Sequence, residues 1–298
     1  MAAASLYGTP ISRIDGPAKV TGAARYAAEF DSANLAYGYV VSSAIARGRI
    51  RKIDIDRALA VPGVLTVLTH ENRPRTARRD DSYKDDVAPD GSPFRPLYDD
   101  KIRFSLQPIA LVLAEDLDTA RYAASLVEVD YSVEPHVTDF ESQRAEAYED
   151  KPPAKPRGEP EAALLNAAVR VDAEYRTPIE HHNPIELHAA TVIYERGGKL
   201  TIYEKTQGAQ NARSYVANVF GMADDKLRVL SPFVGGAFGS GLRPKYNLTL
   251  AVMAARALKR SVRVVLTRQQ VHGGLPSRHD PKGGARQRSR RQAHIGNT

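Results

Sequence analysis

The sequence contains no cysteine. This absence excludes disulfides, thiolate metal ligands, cysteine nucleophiles and any iron–sulfur cluster held by this chain alone. No apolar run approaches the roughly 18–20 residues that a membrane-spanning helix needs. The first residues also lack the basic and apolar regions of an export signal, so we expect the chain to carry no export signal of its own. Its 298 residues are enough for two ordinary domains.

Positive charge is concentrated at one end of the chain. The formal net charge is +7, but residues 272–298 hold six basic residues against Asp280 alone, which leaves about +2 on all the rest. This segment has no hydrophobic periodicity and almost no apolar content, so we predict that it is a disordered basic tail. Because the basicity lies in that tail, we expect no nucleic-acid partner for the folded part.

The pattern of apolar residues predicts an α+β fold made of two α/β domains. The first domain is predicted over residues 13–135, with a helix capped near Asp116 or Asp118. Residues 71–101 are rich in Arg, Asp and Pro, and we expect a long exposed loop there. Strands are predicted in the runs 37–43, 64–68, 108–114 and 127–131.

The second domain is predicted over residues 171–271, after a connector at 136–170 that contains a proline-rich linker. Helices are expected at 211–220, ended by Gly221, and at 246–258, which is apolar nearly all round and must therefore be buried. The loops that follow Glu204 and Leu230 leave strand ends, where α/β proteins usually place their sites. Strands are predicted at 190–194, 200–204, 227–230 and 262–266.

The segment Ser231–Gly241 is a loop with four glycines between a strand and a helix, and we call it the glycine loop. Glycine allows tight turns and close approach of the backbone to a ligand. The start of a helix just beyond such a loop suits an anion. The glycine spacing fits neither a P-loop nor G-x-G-x-x-G, so an ordinary glycine-rich turn remains an alternative at this point.

Several motifs, in order along the chain, resemble the molybdenum-binding large subunit of the xanthine dehydrogenase/aldehyde oxidoreductase family, most closely that of bacterial three-subunit aldehyde oxidoreductases. The resemblance spans residues 13–271, and it implies a hammerhead-type α/β domain followed by the start of a molybdopterin-binding α/β domain. The motifs are Arg13–Gly22, Gln107–Ala114, His182–His188, Thr206–Gly208, Asn211–Arg213, the glycine loop and Val264–Gln270.

The resemblance also implies the residues of a cofactor site. The family lays the backbone of a Gly-Gly-x-Phe-Gly segment against molybdopterin and a molybdenum oxo group. That segment is here Gly235, Gly236, Ala237, Phe238 and Gly239. A family glutamine, here Gln207 with Gly208 beside it, hydrogen-bonds an oxo group without being a direct ligand of the metal. A glutamine amide and exposed backbone N–H groups can both donate to such oxygens.

The function implied is the oxidation of an aldehyde to a carboxylic acid with water as the oxygen donor. The cofactor would be molybdopterin, in its cytosine dinucleotide form, and electrons would pass to partner subunits that carry Fe–S clusters and FAD. The complex would be cytoplasmic, or periplasmic if a partner is exported with it. Purine-oxidising relatives have a glutamate where this chain has Leu242, which favours aldehydes over a purine or xanthine hydroxylase as the alternative.

Family members are more than twice as long as this chain. The glutamate that serves them as general base lies close to their C-terminus, so we expect no catalytic residue here and an inactive chain when it is alone. Residues 272–298 suggest out-of-frame translation, because with permissible codons a shift of one nucleotide turns the string 272–281 into the family's Thr-Val-Gly-Tyr-Arg-Pro. A non-catalytic fragment that binds a partner subunit or nucleic acid is the remaining alternative.

One histidine-rich segment could also be interpreted as a metal site. It contains His181, His182, Glu186 and His188, but the spacing fits no helical zinc motif and Pro184 interrupts it. We therefore expect a structural role for it.

Overall fold

The computed structural model describes residues 8–86, 92–146 and 158–272, except for residues 172, 174 and 179. The described residues fall into two units, one from 8–135 with 182–272 and one from 136–181. No helix in the part of the chain that the structure describes is long and apolar enough to cross a membrane. The predicted disordered tail lies outside the described residues, apart from His272.

The described part of the chain contains ten strands and seven α-helices. The strands are β1 Ala36–Ser42, β2 Gly48–Asp54, β3 Val64–Thr69, β4 Lys101–Ile102, β5 Pro108–Ala114, β6 Glu128–Val133, β7 Ala189–Tyr194, β8 Leu200–Glu204, β9 Leu227–Leu230 and β10 Val262–Val265. The helices are α1 Gly16–Val20, α2 Asp56–Leu59, α3 Leu117–Ser125, α4 Pro160–Asn166, α5 Ala209–Phe220, α6 Tyr246–Leu258 and α7 Arg268–His272.

Strands from both predicted domains join in one seven-stranded sheet, in the order β3-β5-β1-β10-β7-β8-β9. The junction is the parallel pair β1–β10, in which Ala36 lies opposite Val262. Strands β4, β2 and β6 form a second, three-stranded sheet. The first unit therefore has a sheet common to both predicted domains, whose boundaries remain predictions.

Strand β5 supplies side chains to two hydrophobic cores, because successive residues of a strand point to opposite faces. All seven of its residues are buried. Leu111 and Leu113 pack into the core formed with α5 and α6, whereas Ala110 and Val112 pack into the core formed with α3 and β2. A buried apolar strand of this kind fixes the sheet between two layers.

Local signals explain the two helices that flank the candidate site. Helix α5 buries one face and ends at Gly221, which adopts the left-handed conformation with φ of 60°. Helix α6 is buried for ten consecutive residues, Tyr246–Ala255, as its apolar composition requires. Both helices lie where the sequence predicts them.

The expected exposed loop at 71–101 is wrong in part. Tyr83, in a short 3-10 turn at Asp80–Tyr83, and Leu97 are both 3% exposed and belong to the core that contains α5 and α6. The Tyr83 ring contacts Tyr215 edge-on, and its hydroxyl hydrogen-bonds Thr76. Burial of two large apolar side chains outweighs the polar composition of the segment around them.

Candidate functional site

The two loops singled out in the sequence leave neighbouring parallel strands. Strand β8 pairs with β9 in parallel register, with Tyr203 opposite Leu230. The carboxyl ends of parallel neighbours lie at the same edge of a sheet, so the segments that follow them meet. The Gln207 backbone N–H donates to the Gly241 carbonyl at 2.8 Å, and the Ser231 hydroxyl donates to the Thr206 carbonyl at 3.0 Å.

Left-handed backbone gives the glycine loop its shape. Gly236 and Gly239 have φ angles of 90° and 91°, which side-chain-bearing residues rarely adopt. Phe238 between them also has a positive φ, 53°, and is 73% exposed. The turn is closed by Ser240, whose N–H and hydroxyl both donate to the Ala237 carbonyl, at 2.8 and 2.7 Å.

This conformation leaves a row of backbone donors without acceptors. Within the described residues, no acceptor binds the N–H groups of Gly236, Ala237, Phe238 or Gly239, and none binds the side-chain amide of Gln207. Unpaired donors of this kind in a protein usually bind water or a ligand. The donors therefore form a concentrated set for an acceptor-rich group.

The Gln207 segment and the glycine loop are in contact. A Cβ placed on Gly241 would lie 3.6 Å from both Gln207 Cγ and Ala237 Cβ. Gly208, next to Gln207, donates its N–H to the Thr206 hydroxyl at 3.0 Å and precedes helix α5 directly. The structure thus brings together the residues that the sequence predicts for the site, and their role in binding a cofactor remains a prediction.

A buried lysine lies against the loop, and a second, half-buried lysine, Lys245, follows the loop in the sequence. Lys205 is 1% exposed, and its ammonium lies 3.4 Å from the Ser240 hydroxyl that supports the loop. Burial lowers the pKa of Lys205, whereas Glu186 and Glu204 raise it. Burial, with Arg243 and Lys205 nearby, lowers the pKa of Lys245 to about 7. A nearby anion would favour the charged form of each lysine.

Burial also shifts the pKa values of two other ionisable groups near these lysines in the direction that favours the neutral form. Glu204 is 2% exposed, and its Oε2 has no hydrogen-bond partner in the described part of the chain. Burial, with the Glu186 carboxyl nearby, raises its pKa well above the ordinary value. Burial first, and then Lys205, Lys245 and Arg268, lower the pKa of His188 to about 3. Neutral forms avoid the cost of burying unpaired charge.

Glu186 binds backbone N–H groups. Its carboxyl accepts from Gly235 at 2.7 Å and from Ala27 at 3.3 Å, while its own N–H donates to the Gly235 carbonyl at 3.0 Å. Among the described residues there is no group of three or more His, Cys, Asp or Glu that could hold a metal. No local pattern predicts the contact between Glu186 and Gly235, because it joins residues 49 apart.

The glycine loop does not line the cavity found elsewhere in the first unit. That cavity, about 170 Å³, lies between the ends of α5 and α6 and the segment that follows β3. It is lined by Pro74, Arg75, Phe220, Met253, Arg256 and Ala257. The candidate site is therefore an open loop surface rather than this cavity.

Comparison with known proteins identifies the two halves of the chain. The family model described as the aldehyde oxidase and xanthine dehydrogenase a/b hammerhead domain matches residues 21–135. The model described as the molybdopterin cofactor-binding domain matches residues 141–286. The second match contains both Gln207 and the glycine loop.

Individual relatives agree with these two family matches. The chain is 38% identical over 270 residues to the aldehyde oxidoreductase molybdenum-binding subunit PaoC of Escherichia coli (strain K12), an alignment that covers 89% of this chain and 35% of PaoC. It is 27% identical to the nicotinate dehydrogenase large molybdopterin subunit of Eubacterium barkeri, of which it covers 63%. The chain thus spans about a third of the length of PaoC.

Solved structures have the same fold. The aldehyde oxidoreductase from Desulfovibrio gigas superposes with a TM-score of 0.71 at 27% identity, over 88% of this chain and 30% of that one. Quinoline 2-oxidoreductase from Pseudomonas putida 86 gives a TM-score of 0.72 at 26% identity, over 89% and 35%. These matches confirm the predicted mixed fold, a hammerhead domain followed by molybdopterin-binding sequence. The chain belongs to the aldehyde oxidase and xanthine dehydrogenase family.

Proposed function

We propose that the chain acts within the molybdenum-binding subunit of an aldehyde oxidoreductase. The reaction is oxidation of an aldehyde to a carboxylic acid, with water as the oxygen donor. Support comes from the 38% identity to PaoC, which is named as the molybdenum-binding subunit of an aldehyde oxidoreductase, and from the geometry of the glycine loop. In this proposal the chain's own contribution is to hold the cofactor.

One observation carries the proposal. The N–H groups of residues 236–239 have no acceptor among the described residues, and the loop that bears them contacts the Gln207 segment, whose side-chain amide is equally unpaired. A molybdenum–pterin cofactor presents oxo and phosphate oxygens, which are acceptors. The donor set therefore fits this group, because each donor needs an acceptor and the group supplies several.

The roles of the individual residues follow from their chemistry. The Gln207 amide would donate to an oxygen of the cofactor without being a ligand of the metal. The backbone of Gly235, Gly236, Ala237, Phe238 and Gly239 would hold the cofactor beside it. When bound, the cofactor would supply the two-electron oxidation that no side chain can perform. The glycines matter because they expose N–H groups without the steric barrier of a side chain.

The substrate class is proposed from the residue that follows the loop. Leu242 is 47% exposed, and its N–H donates to the Gly239 carbonyl at 3.2 Å. An apolar side chain here gives no acceptor or charge to recognise a purine ring, whereas an aldehyde needs neither. We therefore favour an aldehyde over a purine or xanthine substrate.

Partner subunits complete the proposed enzyme. Electrons leave through an iron–sulfur subunit and an FAD subunit, since a cysteine-free chain cannot hold such a cluster itself. The cofactor is proposed to be the cytosine dinucleotide form of molybdopterin. The proposed location is the cytoplasm, or the periplasm if a partner subunit carries the complex across the membrane.

The test replaces the one side chain in the proposed donor set. The protein is purified as it exists, with whatever subunits accompany it, as wild type, Gln207→Ala and the matched control Gln210→Ala. Gln210 is an exposed glutamine three residues further along, in the first turn of α5. Molybdenum and pterin per chain are measured for each.

We expect Gln207→Ala to lower the molybdenum and pterin content per chain by roughly ten-fold or more, since a lost hydrogen bond to a charged group costs about 1.5–3 kcal/mol. Gln210→Ala should match the wild type. A wild type that contains neither pterin nor molybdenum, or equal effects of the two variants, would reject the proposed function.

A further inference from the structure

We propose that residues 182–186 form a brace that positions the glycine loop, with Glu186 as the positioning residue. The inference rests on the proposed function, because a loop needs positioning only if it receives a ligand. The brace precedes β7, and the loop follows β9. The two segments are far apart in sequence and meet only in the folded chain.

The central contact is a pair of reciprocal hydrogen bonds. The Glu186 carboxyl accepts from the Gly235 N–H at 2.7 Å, and the Glu186 N–H donates to the Gly235 carbonyl at 3.0 Å. Both backbone groups of Gly235 are therefore occupied by one residue. Gly235, which directly precedes the donor row, is therefore fixed, while the next four N–H groups have no acceptor among the described residues.

The brace also contacts the later glycines of the loop. A Cβ on Gly236 would lie 3.5 Å from Pro184 Cβ, and a Cβ on Gly239 would lie 3.6 Å from His182 Nε2. At Gly235 the corresponding distance to Glu186 Cβ is 2.7 Å, which leaves no room for a side chain. Three glycines of the loop thus lie against three residues of the brace.

The brace is itself held from two other parts of the chain. The guanidinium of Arg268 donates to the Asn183 side chain at 2.7 Å, to the Pro184 carbonyl and to the Ile185 carbonyl at 2.9 Å. On the other side, Glu186 accepts from the Ala27 N–H, and the Ala27 carbonyl accepts from the buried Thr191 hydroxyl at 2.8 Å. The brace is therefore anchored independently of the loop.

Such anchoring lowers the cost of binding. A loop with two glycines in left-handed conformation has much backbone freedom to lose, and freedom that is lost before the ligand arrives does not weaken its affinity. The contacts of Glu186 place that restraint at the start of the donor row. Glu186 acts through the loop and need not touch the ligand.

Hydrogen–deuterium exchange on the full chain, produced without pterin, tests the brace directly. The samples are wild type, Glu186→Ala, Glu186→Gln and the control Glu195→Ala. Glu195 accepts a hydrogen bond from the exposed Thr201 hydroxyl, so its removal also deletes a carboxylate contact. Exchange is resolved at the Gly235 amide and, for comparison, at the amides of β7 and β8.

We expect Glu186→Ala to exchange roughly 10- to 100-fold faster at the Gly235 amide, the effect of losing a hydrogen bond to a charged group. Strands β7 and β8 should change far less. Glu186→Gln should recover part of the protection, because its amide oxygen can still accept from Gly235. Glu195→Ala should leave the Gly235 rate as in the wild type.

The brace is refuted if the Gly235 rate does not change in Glu186→Ala, if β7 and β8 accelerate by the same factor, or if Gln protects no better than Ala. If Glu186→Ala does not fold, Arg268→Ala is used in its place. We expect faster exchange at the Glu186 amide in that variant, and an unchanged rate there would refute the brace. Pterin content is measured separately on protein made with the cofactor available. A wild type without pterin would reject only the proposed function. The brace is tested separately, because the exchange rates are measured on protein that contains no cofactor.

Discussion

Replacement of Gly235 by alanine is the sharpest steric prediction. The new Cβ would lie 2.7 Å from Glu186 Cβ, a separation that real Cβ atoms essentially never show, and 3.4 Å from the Tyr26 ring. Either Glu186 or the loop must move. Movement of Glu186 would break its 2.7 Å hydrogen bond from the Gly235 N–H.

The magnitude follows from three contributions. Overpacking costs about 1–3 kcal/mol, and loss of a hydrogen bond to a charged group costs about 1.5–3 kcal/mol. A Gly-to-Ala change also lowers the conformational entropy of the unfolded chain, and this offsets the destabilisation by about 0.4–1 kcal/mol. The movement that relieves the overlap also breaks the hydrogen bond, so the first two contributions overlap, and we expect a net loss of about 2–4 kcal/mol in the free energy of unfolding.

Gly241→Ala is the matched control in the same loop. Its Cβ would meet its nearest atoms at 3.5–3.6 Å, which is ordinary contact. We expect it to be neutral or stabilising by up to about 1 kcal/mol. Urea unfolding at constant m measures both variants. Equal midpoints for the two variants, or a Gly235→Ala midpoint as high as that of the wild type, would refute the steric reasoning.

Two further predictions concern helix capping and pH. Asp116→Ala should destabilise the chain by about 1 kcal/mol in the same urea assay. The reason is that the Asp116 carboxylate accepts from both the N–H and the hydroxyl of Thr119 at the start of α3. Asp118→Ala is the control and should change the stability little. Lys245 has a folded pKa of about 7, lowered chiefly by burial from 10.5. Between these values the unfolded chain binds more protons, so stability should rise with pH by up to about 1.4 kcal/mol per unit. The rise should shrink in Lys245→Met, and an equal slope in that variant would contradict the assignment.

Local signals in the sequence were sufficient for the elements that frame the site. The strands predicted at 200–204 and 227–230 match β8 and β9, and the helix predicted at 246–258, which is apolar nearly all round, matches α6 residue for residue. Gly221 ends α5 as predicted, since glycine adopts the left-handed conformation without a steric penalty. Each of these features depends on a few consecutive residues.

Features that depend on contacts between distant residues could not be predicted in this way. Strand β2 carries Arg49, Arg51 and Lys52 among its seven residues, so its composition hides a strand that pairs with β4 and β6. The burial of Lys205 could not be predicted from the sequence either, because a lysine is ordinarily exposed. Its position becomes clear only when the glycine loop, 35 residues away at Ser240, folds over it.

The candidate site itself was predicted by resemblance more than by pattern. The glycine spacing alone left an ordinary turn as an alternative, and Gln207 had no distinguishing local feature. The structure adds the physical reason for the pairing, since parallel β8 and β9 end side by side and Gln207 donates to Gly241. The hydrogen bonds between Glu186 and Gly235 could not be predicted from the sequence and are seen only in the folded structure.

The most direct test of the central claim is the pterin and molybdenum content per chain of wild type and Gly239→Val, each purified with the subunits that accompany it. Valine at φ of 91° would be strained and would force the loop away from its present shape. We predict cofactor in the wild type and at least a ten-fold loss in the variant, with β7 and β8 still protected from exchange. A wild type without cofactor, or a variant that retains it in full, would contradict the assignment of this loop to a molybdopterin site.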